Sequence, residues 1–211
     1  DAAIDADALV ALNAKTTGTI TLAGDTSISG TLANVNTVLG GAGLASVAAN
    51  LAITVTDASI TVAEADALSE LTTGLVTATV APGTLAANNA FADSGGQVNN
   101  ISFTVTDSTA AAATLNALDA KTTVDIDVSA ANAISGAHAD IVTLYGNTAN
   151  FVSLGNENIT ATDATITIAE ANALAALTTG TITAQIAAGT ANALATGVNG
   201  TGNAYTLDVS D

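Results

Sequence analysis

The chain has 211 residues and a formal net charge of −17, because 19 acidic residues are opposed by two lysines. So acidic a surface lacks the basic footprint that nucleic-acid binding requires, and anionic membranes repel it. About 49% of the residues are hydrophobic, but no apolar run approaches the roughly 18 residues of a membrane-spanning helix. Cysteine, methionine and tryptophan are absent, which excludes disulfides and thiol–metal sites and is typical of an exposed extracellular protein.

Alternating apolar and polar residues predict short strands along the whole chain. Eight strands are predicted, at 19–23, 53–57, 76–80, 101–107, 124–129, 159–163, 182–186 and 205–211. Short helices are predicted between them, at 31–39, 61–71, 84–92 and 110–118, with a loop as the alternative for 84–92. Thr61 and Glu64 have the spacing of a capping box at a helix start, as do Thr167 and Glu170.

The sequence repeats itself after a shift of 106 residues. Ala-Lys-Thr-Thr at 14–17 recurs at 120–123, and the stretch that begins at Asp57 recurs from Asp163. The chain therefore divides into a first copy, 1–106, and a second copy, 107–211, each with four strand–helix units. The absence of a linker predicts one continuous stack, and a further copy after Asp211 would continue the pattern. We expect a slice of a longer array, or a subunit that stacks head to tail.

Strand–helix–strand units at this spacing predict parallel strands joined by right-handed crossovers. Helices this short must pack against the strands, because they would not persist alone. The predicted fold class is a repeat solenoid, either α/β or β, with parallel strands and a short helix in each coil. Tandem β-sandwich domains are the alternative.

The phrase Thr-Asp-Ala-Ser-Ile-Thr-Val-Ala-Glu-Ala-Asp-Ala-Leu at 56–68, with its counterpart at 162–174, resembles the repeats of large secreted bacterial surface proteins. These are the calcium-associated adhesins and the S-layer-like tandem-repeat proteins. The Gly-rich nonapeptide ending in Asp, that family's best-known calcium motif, is absent. The resemblance implies a structural role at the bacterial cell surface, in a stalk, coat or filament. The implied partners are adjoining repeats or further copies of the chain itself.

Four aspartates stand at the ends of predicted strands: Asp57, Asp107, Asp163 and Asp211. In a solenoid they would form a column at one corner, and oxygen-rich columns suit Ca²⁺, which takes six to eight oxygen ligands. Alternatively, an aspartate at a strand end caps a turn through its own backbone. The pairs Asp5/Asp7 and Asp125/Asp127 are further candidates by the same reasoning. The sequence requires no cofactor, and Ca²⁺ is the cation that these positions would bind.

Threonines alternate with inward-facing residues along the strands, which predicts two ranks of threonine on one face. They are Thr19, Thr21, Thr54, Thr56, Thr77, Thr79, Thr104, Thr106, Thr160 and Thr162. Such a face resembles the ice-binding surface of some antifreeze proteins, so ice or glycan binding is the alternative function. Threonine is also simply favourable on a solvated strand face, and Asp125, Asp127, Gln185 and Asp208 would interrupt the ranks.

Catalytic motifs are missing from the sequence, which contains no nucleophile elbow, no phosphate-binding glycine loop and no zinc spacing. The single histidine, His138, aligns with Leu32 of the first copy, which predicts a packed or half-exposed helix residue and not a catalytic base. Lys121 is expected to pair with a local carboxylate such as that of Asp119. We predict a structural protein without enzymatic activity.

Overall fold

The computed structural model describes residues 3–22, 27–40, 44–45, 49–93 and 98–211, which form short strands and helices in alternation. The strands are β1 (Ile4–Asp5), β2 (Ile20–Thr21), β3 (Ser27–Gly30), β4 (Leu44–Ala45), β5 (Ala52–Val55), β6 (Val76–Thr79), β7 (Asn100–Ser102), β8 (Thr109–Ala111), β9 (Ile126–Asp127), β10 (Ala133–Gly136), β11 (Phe151–Val152), β12 (Asn158–Ala161), β13 (Ile182–Gly189) and β14 (Ala204–Val209). The helices are α1 (Ala6–Asn13), α2 (Leu32–Leu39), α3 (Val62–Leu71), α4 (Leu85–Asn88), α5 (Ala112–Asp119), α6 (His138–Gly146), α7 (Ile168–Ala175) and α8 (Ala191–Gly197), with a 3₁₀ turn at Thr148–Asn150.

The strands form two larger sheets of five strands each, in the orders β1-β3-β5-β6-β7 and β14-β13-β12-β10-β8. Two smaller sheets pair β2 with β4 and β9 with β11. Throughout the described residues the strand pairs are parallel. The predicted α/β organisation with parallel sheets and short helices is therefore confirmed. The β-sandwich alternative is wrong, because a sandwich is built from antiparallel sheets.

The register places equivalent residues of the two sequence copies at equivalent positions of the two larger sheets. Ile28, Ile53 and Val76 are neighbours on adjacent strands, at steps of 25 and 23 residues. Their counterparts 106 positions later, Ile134, Ile159 and Ile182, are neighbours at the same steps. All six side chains are fully buried, so each sheet carries one apolar column as part of its core.

Contacts within the chain divide it into two units. The first unit is Asp1–Pro82, Ala87–Thr104 and Ala120–Val124. The second unit is Gly83–Ala86, Val105–Asp119 and Asp125–Asp211. The first contains the sheet that begins with β1, and the second contains the sheet that ends with β14.

Each of the eight predicted strands overlaps an observed strand, although Ala23 lies outside the described residues. The helices predicted at 31–39 and 61–71 are confirmed as α2 and α3, with Thr31 and Thr61 as their N-caps. Sequence periodicity missed β3 and β10, because each buries only one large apolar residue, an isoleucine, before a helix begins. It gave no bounds for α1, α6 and α8, although the 106-residue repeat relates them to α5, α2 and α4.

Candidate functional site

The four strand-end aspartates all make the same kind of contact. Each carboxylate accepts a hydrogen bond from the first backbone N–H of a helix that lies 20–25 residues earlier in the chain. The bonds join Asp57 to Leu32 N of α2 at 2.6 Å, Asp107 to Leu85 N of α4 at 2.5 Å, Asp163 to His138 N of α6 at 2.7 Å and Asp211 to Ala191 N of α8 at 3.1 Å. The first N–H groups of a helix have no partner within the helix, and its N-terminus is electropositive. The carboxylates therefore tie each of these helix starts to a later segment.

This contact differs from both sequence hypotheses for the aspartates. The bonds observed for Asp57 and Asp163 are to partners distant in sequence and not within their own turns. Within the part of the chain that the structure describes, no group of three or more His, Cys, Asp or Glu side chains is placed to hold a metal ion. Ca²⁺ binding at these positions stays a prediction, whereas the helix contact is an observed role.

Of the further candidate aspartates, Asp5, Asp7 and Asp127 also accept from backbone or amide groups. Asp5 is the N-cap of α1 and accepts from the N–H of Asp7 at 2.9 Å and of Ala8 at 3.1 Å. Asp7 accepts from the side-chain amide of Asn34 at 2.8 Å, which links α1 to α2. Both carboxylates line a shallow depression of about 250 Å³, together with Ser29, Gly30 and Thr56 among others. Asp127 accepts from the N–H of Ser129 at 2.9 Å.

A threonine turn recurs four times and provides a second link between segments. In each turn a threonine hydroxyl accepts from the N–H two residues later; these threonines are Thr16, Thr72, Thr122 and Thr178. Thr72, Thr122 and Thr178 also donate to the carbonyl oxygen 21 residues earlier, at 2.6–2.7 Å. Each of these hydroxyls thus closes its own turn and fastens it to the preceding segment.

The predicted ranks of threonine are mixed in composition. In the first sheet the rank that contains Thr54 and Thr77 runs across adjacent strands in the order Asp5, Ser29, Thr54, Thr77 and Asn100. In the second sheet the corresponding rank is Ala111, Ser135, Thr160, Thr183 and Ala204. Serine, asparagine, alanine and aspartate therefore occupy positions between the predicted threonines, and binding by this face stays a prediction.

The other predicted threonines lie elsewhere. Thr79 ends β6 and faces Ser102, while Thr21 belongs to the separate pair formed by β2 and β4. Outside the strands lie Thr19, Thr56, Thr104, Thr106 and Thr162. The strands β7, β9 and β12 are shorter than the alternating pattern suggested, so alternation overestimated the extent of this face.

Both predicted capping boxes are present at α3 and α7. The Thr61 backbone N–H and hydroxyl both donate to Glu64, at 2.7 and 2.8 Å, and these bonds lower the pKa of the Glu64 carboxyl. Glu170 has the same arrangement with Thr167, and its pKa is lowered for the same reason. The Nδ1 of His138 lies 3.9 Å from Glu170, so a protonated His138 would form an ion pair with it.

A buried polar pair in the second copy was not found from the sequence. Glu157 is buried, and its Oε2 accepts from the Tyr145 hydroxyl at 2.9 Å and from the N–H groups of Gly155 and Asn156 at 2.9 and 3.1 Å. Burial, followed by the nearby Glu157 carboxyl, raises the pKa of Tyr145. The corresponding first-copy residues are Leu39 and Leu51. The simultaneous exchange of two leucines for Tyr and Glu between the copies is the sequence signal that could have revealed the pair.

Lys121 does not make the expected ion pair with Asp119. Its ammonium group donates to the carbonyl oxygens of Asn89 and Phe91, both at 2.7 Å. Asp119 accepts instead from the side-chain amide of Asn150 at 3.2 Å. Lys121 therefore satisfies backbone acceptors at the end of α4.

Comparison with known proteins returned no matching family model, no matching curated protein and no matching solved structure. None of the helices in the described ranges is long and apolar enough to cross a membrane. The resemblance to repeat regions of bacterial surface proteins accordingly stays a prediction.

Proposed function

We propose that the chain is a structural, non-enzymatic segment of an extracellular tandem-repeat protein, built as an α/β solenoid and forming part of a stalk, coat or filament on a bacterial surface. The observation that supports this most is the recurrence of one contact in both sequence copies. The bonds of Asp57 and Asp163 to the helix starts at Leu32 and His138 are related by the 106-residue shift.

A contact that recurs in each copy suits a structural protein whose stability is distributed along the chain. In a solenoid each repeat contacts only its neighbours, so stability is approximately a sum of repeat and neighbour terms. Parallel strand pairs, aspartate–helix bonds and threonine turns then supply the neighbour term at every step. A chemical site would instead call for a distinctive residue set that occurs once.

The charge of the chain fits an extracellular coat or stalk. With a net charge of −17, neighbouring molecules repel one another and stay soluble. Divalent cations such as Ca²⁺ would screen this repulsion and bridge acidic faces without a dedicated site. The proposed partners are adjoining repeats of a longer chain or further copies of this one.

The solenoid is tested by appending a third copy, residues 107–211, directly after Asp211. We expect one cooperative urea transition, with a larger unfolding free energy and a steeper dependence on urea, because m grows with the surface exposed on unfolding. Two separate transitions, or an unchanged slope, would contradict the stacked arrangement. Circular dichroism provides the measurement.

The extracellular role is tested separately on the source cells. An antibody raised against the 211-residue chain is used on immunoblots before and after proteolysis of intact cells. Loss of the signal on intact cells is expected, together with a polypeptide or assembly larger than the chain itself. A signal that survives until the cells are lysed would refute the surface location.

The mixed composition of the threonine ranks speaks for the structural role over ice binding. A thermal-hysteresis assay of the purified chain discriminates the two, and measurable hysteresis would reverse the ranking. Loss of that activity in Thr54→Val/Thr77→Val would then locate it on the first sheet.

A further inference from the structure

The junction between the two sequence copies shows how one copy is covered by the next. Residues 99–105, at the end of the first copy, form hydrogen bonds with the segment around the second occurrence of Ala-Lys-Thr-Thr, at 120–123. The Thr122 hydroxyl donates to the Ile101 carbonyl at 2.7 Å, and the Thr123 N–H donates to the Asn99 carbonyl at 3.0 Å. The Val105 N–H donates to the Asp127 carbonyl at 2.8 Å.

The end of the second copy has the same local structure but lacks this cover in the structure. Asn203 accepts from Ile182 N, just as Asn99 accepts from Val76 N in the first copy, so from Asn203 onward equivalent residues are 104 positions apart. This correspondence places Leu207 where the first copy has Phe103, and Val209 where it has Val105. Leu207 and Val209 are 44% and 62% exposed, whereas Phe103 and Val105 are 1% and 0% exposed. Among the described strands β14 pairs with β13 alone, so its second edge is open. We call β14 with Leu207 and Val209 the tail surface.

The start of the first copy presents the matching half of that junction. The sequence Ala-Lys-Thr-Thr at 14–17 is identical to that at 120–123, and the Thr16 turn closes on Gly18 N at 2.9 Å, as the Thr122 turn closes on Val124 N. On the preceding helix Leu12 is 53% exposed, whereas its counterpart Leu118 is fully buried. We call Leu12, Thr16, Thr17 and Ile20 the head surface.

We propose that the head surface of a second molecule of this chain docks on the tail surface, in the manner of the internal junction. Thr16 of that second molecule then donates to the carbonyl of Tyr205, as Thr122 donates to that of Ile101 within the chain. Parallel pairing continues beyond β14, and Leu207, Val209 and Leu12 lose their exposure to water. This inference rests on the proposed structural function, because it names the partner with which the repeats assemble.

A second molecule of the chain is favoured as the occupant, because the internal junction already joins the counterpart of the head surface to the counterpart of the tail surface. Electrostatics sets a condition on the assembly, since both partners carry the charge of −17. Association should therefore strengthen with ionic strength, because salt shortens the range of the repulsion to about 3 Å at 1 M.

The first test is sedimentation velocity of the 211-residue chain over a range of concentrations at high salt. We expect the weight-average mass to rise to at least double that of one chain. Leu12→Asp and Val209→Asp should each remain monomeric, and a mixture of the two should give a one-to-one dimer, because each retains one intact surface. Leu71→Asp is the matched control, since Leu71 is an equally exposed leucine at the end of a helix. It should assemble like the unmodified chain.

A second test does not depend on disrupting the surfaces. The Thr123 hydroxyl donates to the Asn100 side chain at the internal junction, and the corresponding head and tail residues are Thr17 and Ala204. Because the chain has no cysteine, mixing Thr17→Cys with Ala204→Cys under mild oxidation should give a covalent heterodimer. Thr73→Cys, in an interior threonine turn, is the control and should not cross-link to Ala204→Cys.

A monomer at every concentration and salt level, or assembly that Leu12→Asp leaves intact, would overturn the proposal. So would the absence of a cross-link between the Thr17→Cys and Ala204→Cys variants. These failures are distinct from failure of the proposed function. The appended third copy would still stack if only the affinity between separate chains were lacking. Conversely, head-to-tail dimers could form in solution even if the protein proved not to lie on the cell surface.

Discussion

Replacement of Gly180 by alanine should destabilise the protein for a purely steric reason. A Cβ at this position would overlap the carbonyl oxygen of Glu157 and lie 2.5 Å from its carbonyl carbon. At Gly74, in the corresponding turn of the first copy, a Cβ would overlap the carbonyl oxygen of Asn50 and lie 2.5 Å from the carbonyl carbon of Leu51. These neighbours are backbone atoms of the preceding segment, so relief requires two paired segments to move apart.

The magnitude follows from what holds those segments together. The Thr178 hydroxyl accepts from Gly180 N at 3.0 Å and donates to the Glu157 carbonyl at 2.7 Å, so movement at Gly180 weakens that link. Overpacking costs about 1–3 kcal/mol. Alanine recovers about 0.4–1 kcal/mol by restricting the unfolded chain. We expect a net loss of about 1–3 kcal/mol for each variant, because weakened hydrogen bonds of about 0.5–1.5 kcal/mol add to the steric cost.

Gly146→Ala is the matched control, because Gly146 ends α6 and a Cβ there would meet no atom within 4 Å. It should stabilise the protein by up to about 1 kcal/mol. Urea titrations followed by circular dichroism measure all three variants, with an unchanged slope m as the sign that the unfolded state is the same. If the urea midpoints of Gly74→Ala and Gly180→Ala were equal to or above that of the unmodified chain, the steric reasoning would be refuted.

Three further predictions concern the polar contacts. Asp163→Ala should lower the free energy of unfolding by about 0.5–2 kcal/mol, the usual range for a lost helix cap. If this loss is the same with and without a Ca²⁺ chelator, it supports the contact with the helix. If chelator alone destabilises the unmodified chain by the same amount, Asp163 would instead be assigned to Ca²⁺. Tyr145→Phe should cost about 1–3 kcal/mol by leaving the buried Glu157 without its hydroxyl donor. Tyr145→Leu/Glu157→Leu should lose less than the sum of its single changes, and a double-mutant cycle in urea would contradict the pairing if the losses were additive. Because hydrogen bonds from Thr61 lower the pKa of Glu64 below its ordinary 4.5, the ionised side chain stabilises the fold above that value and ceases to do so as the pH falls below it. The difference in melting temperature between the unmodified chain and Glu64→Gln should therefore shrink below pH 4.5, and a difference that is constant with pH would exclude this contribution.

Much of the local structure could be predicted because it depends on neighbouring residues. The capping boxes at Thr61 and Thr167 need only a threonine and a glutamate three positions apart, and both are present. The helix predicted at 31–39 likewise corresponds to α2 and its N-cap. The β3 strand escaped prediction, since its single buried isoleucine acquires a partner only when Ile4 and Ile53 lie on either side of it.

The sequence drew attention to the strand-end aspartates but did not predict their observed contacts. Their hydrogen-bond partners are helix N–H groups 20–25 residues away. Glu157 gave no signal within its own segment, because its hydroxyl donor, Tyr145, lies on the preceding helix.

By itself, the sequence determined the 106-residue repeat, the alternation of strands with short helices and the parallel α/β class, because periodicity and capping act over a few residues. Only the tertiary structure decided which groups each aspartate and threonine hydroxyl bonds and which leucines at the ends stay exposed. Hydrogen bonds between stacked segments depend on the register of the parallel strands, and that register is set by the packing of the buried isoleucine and valine columns.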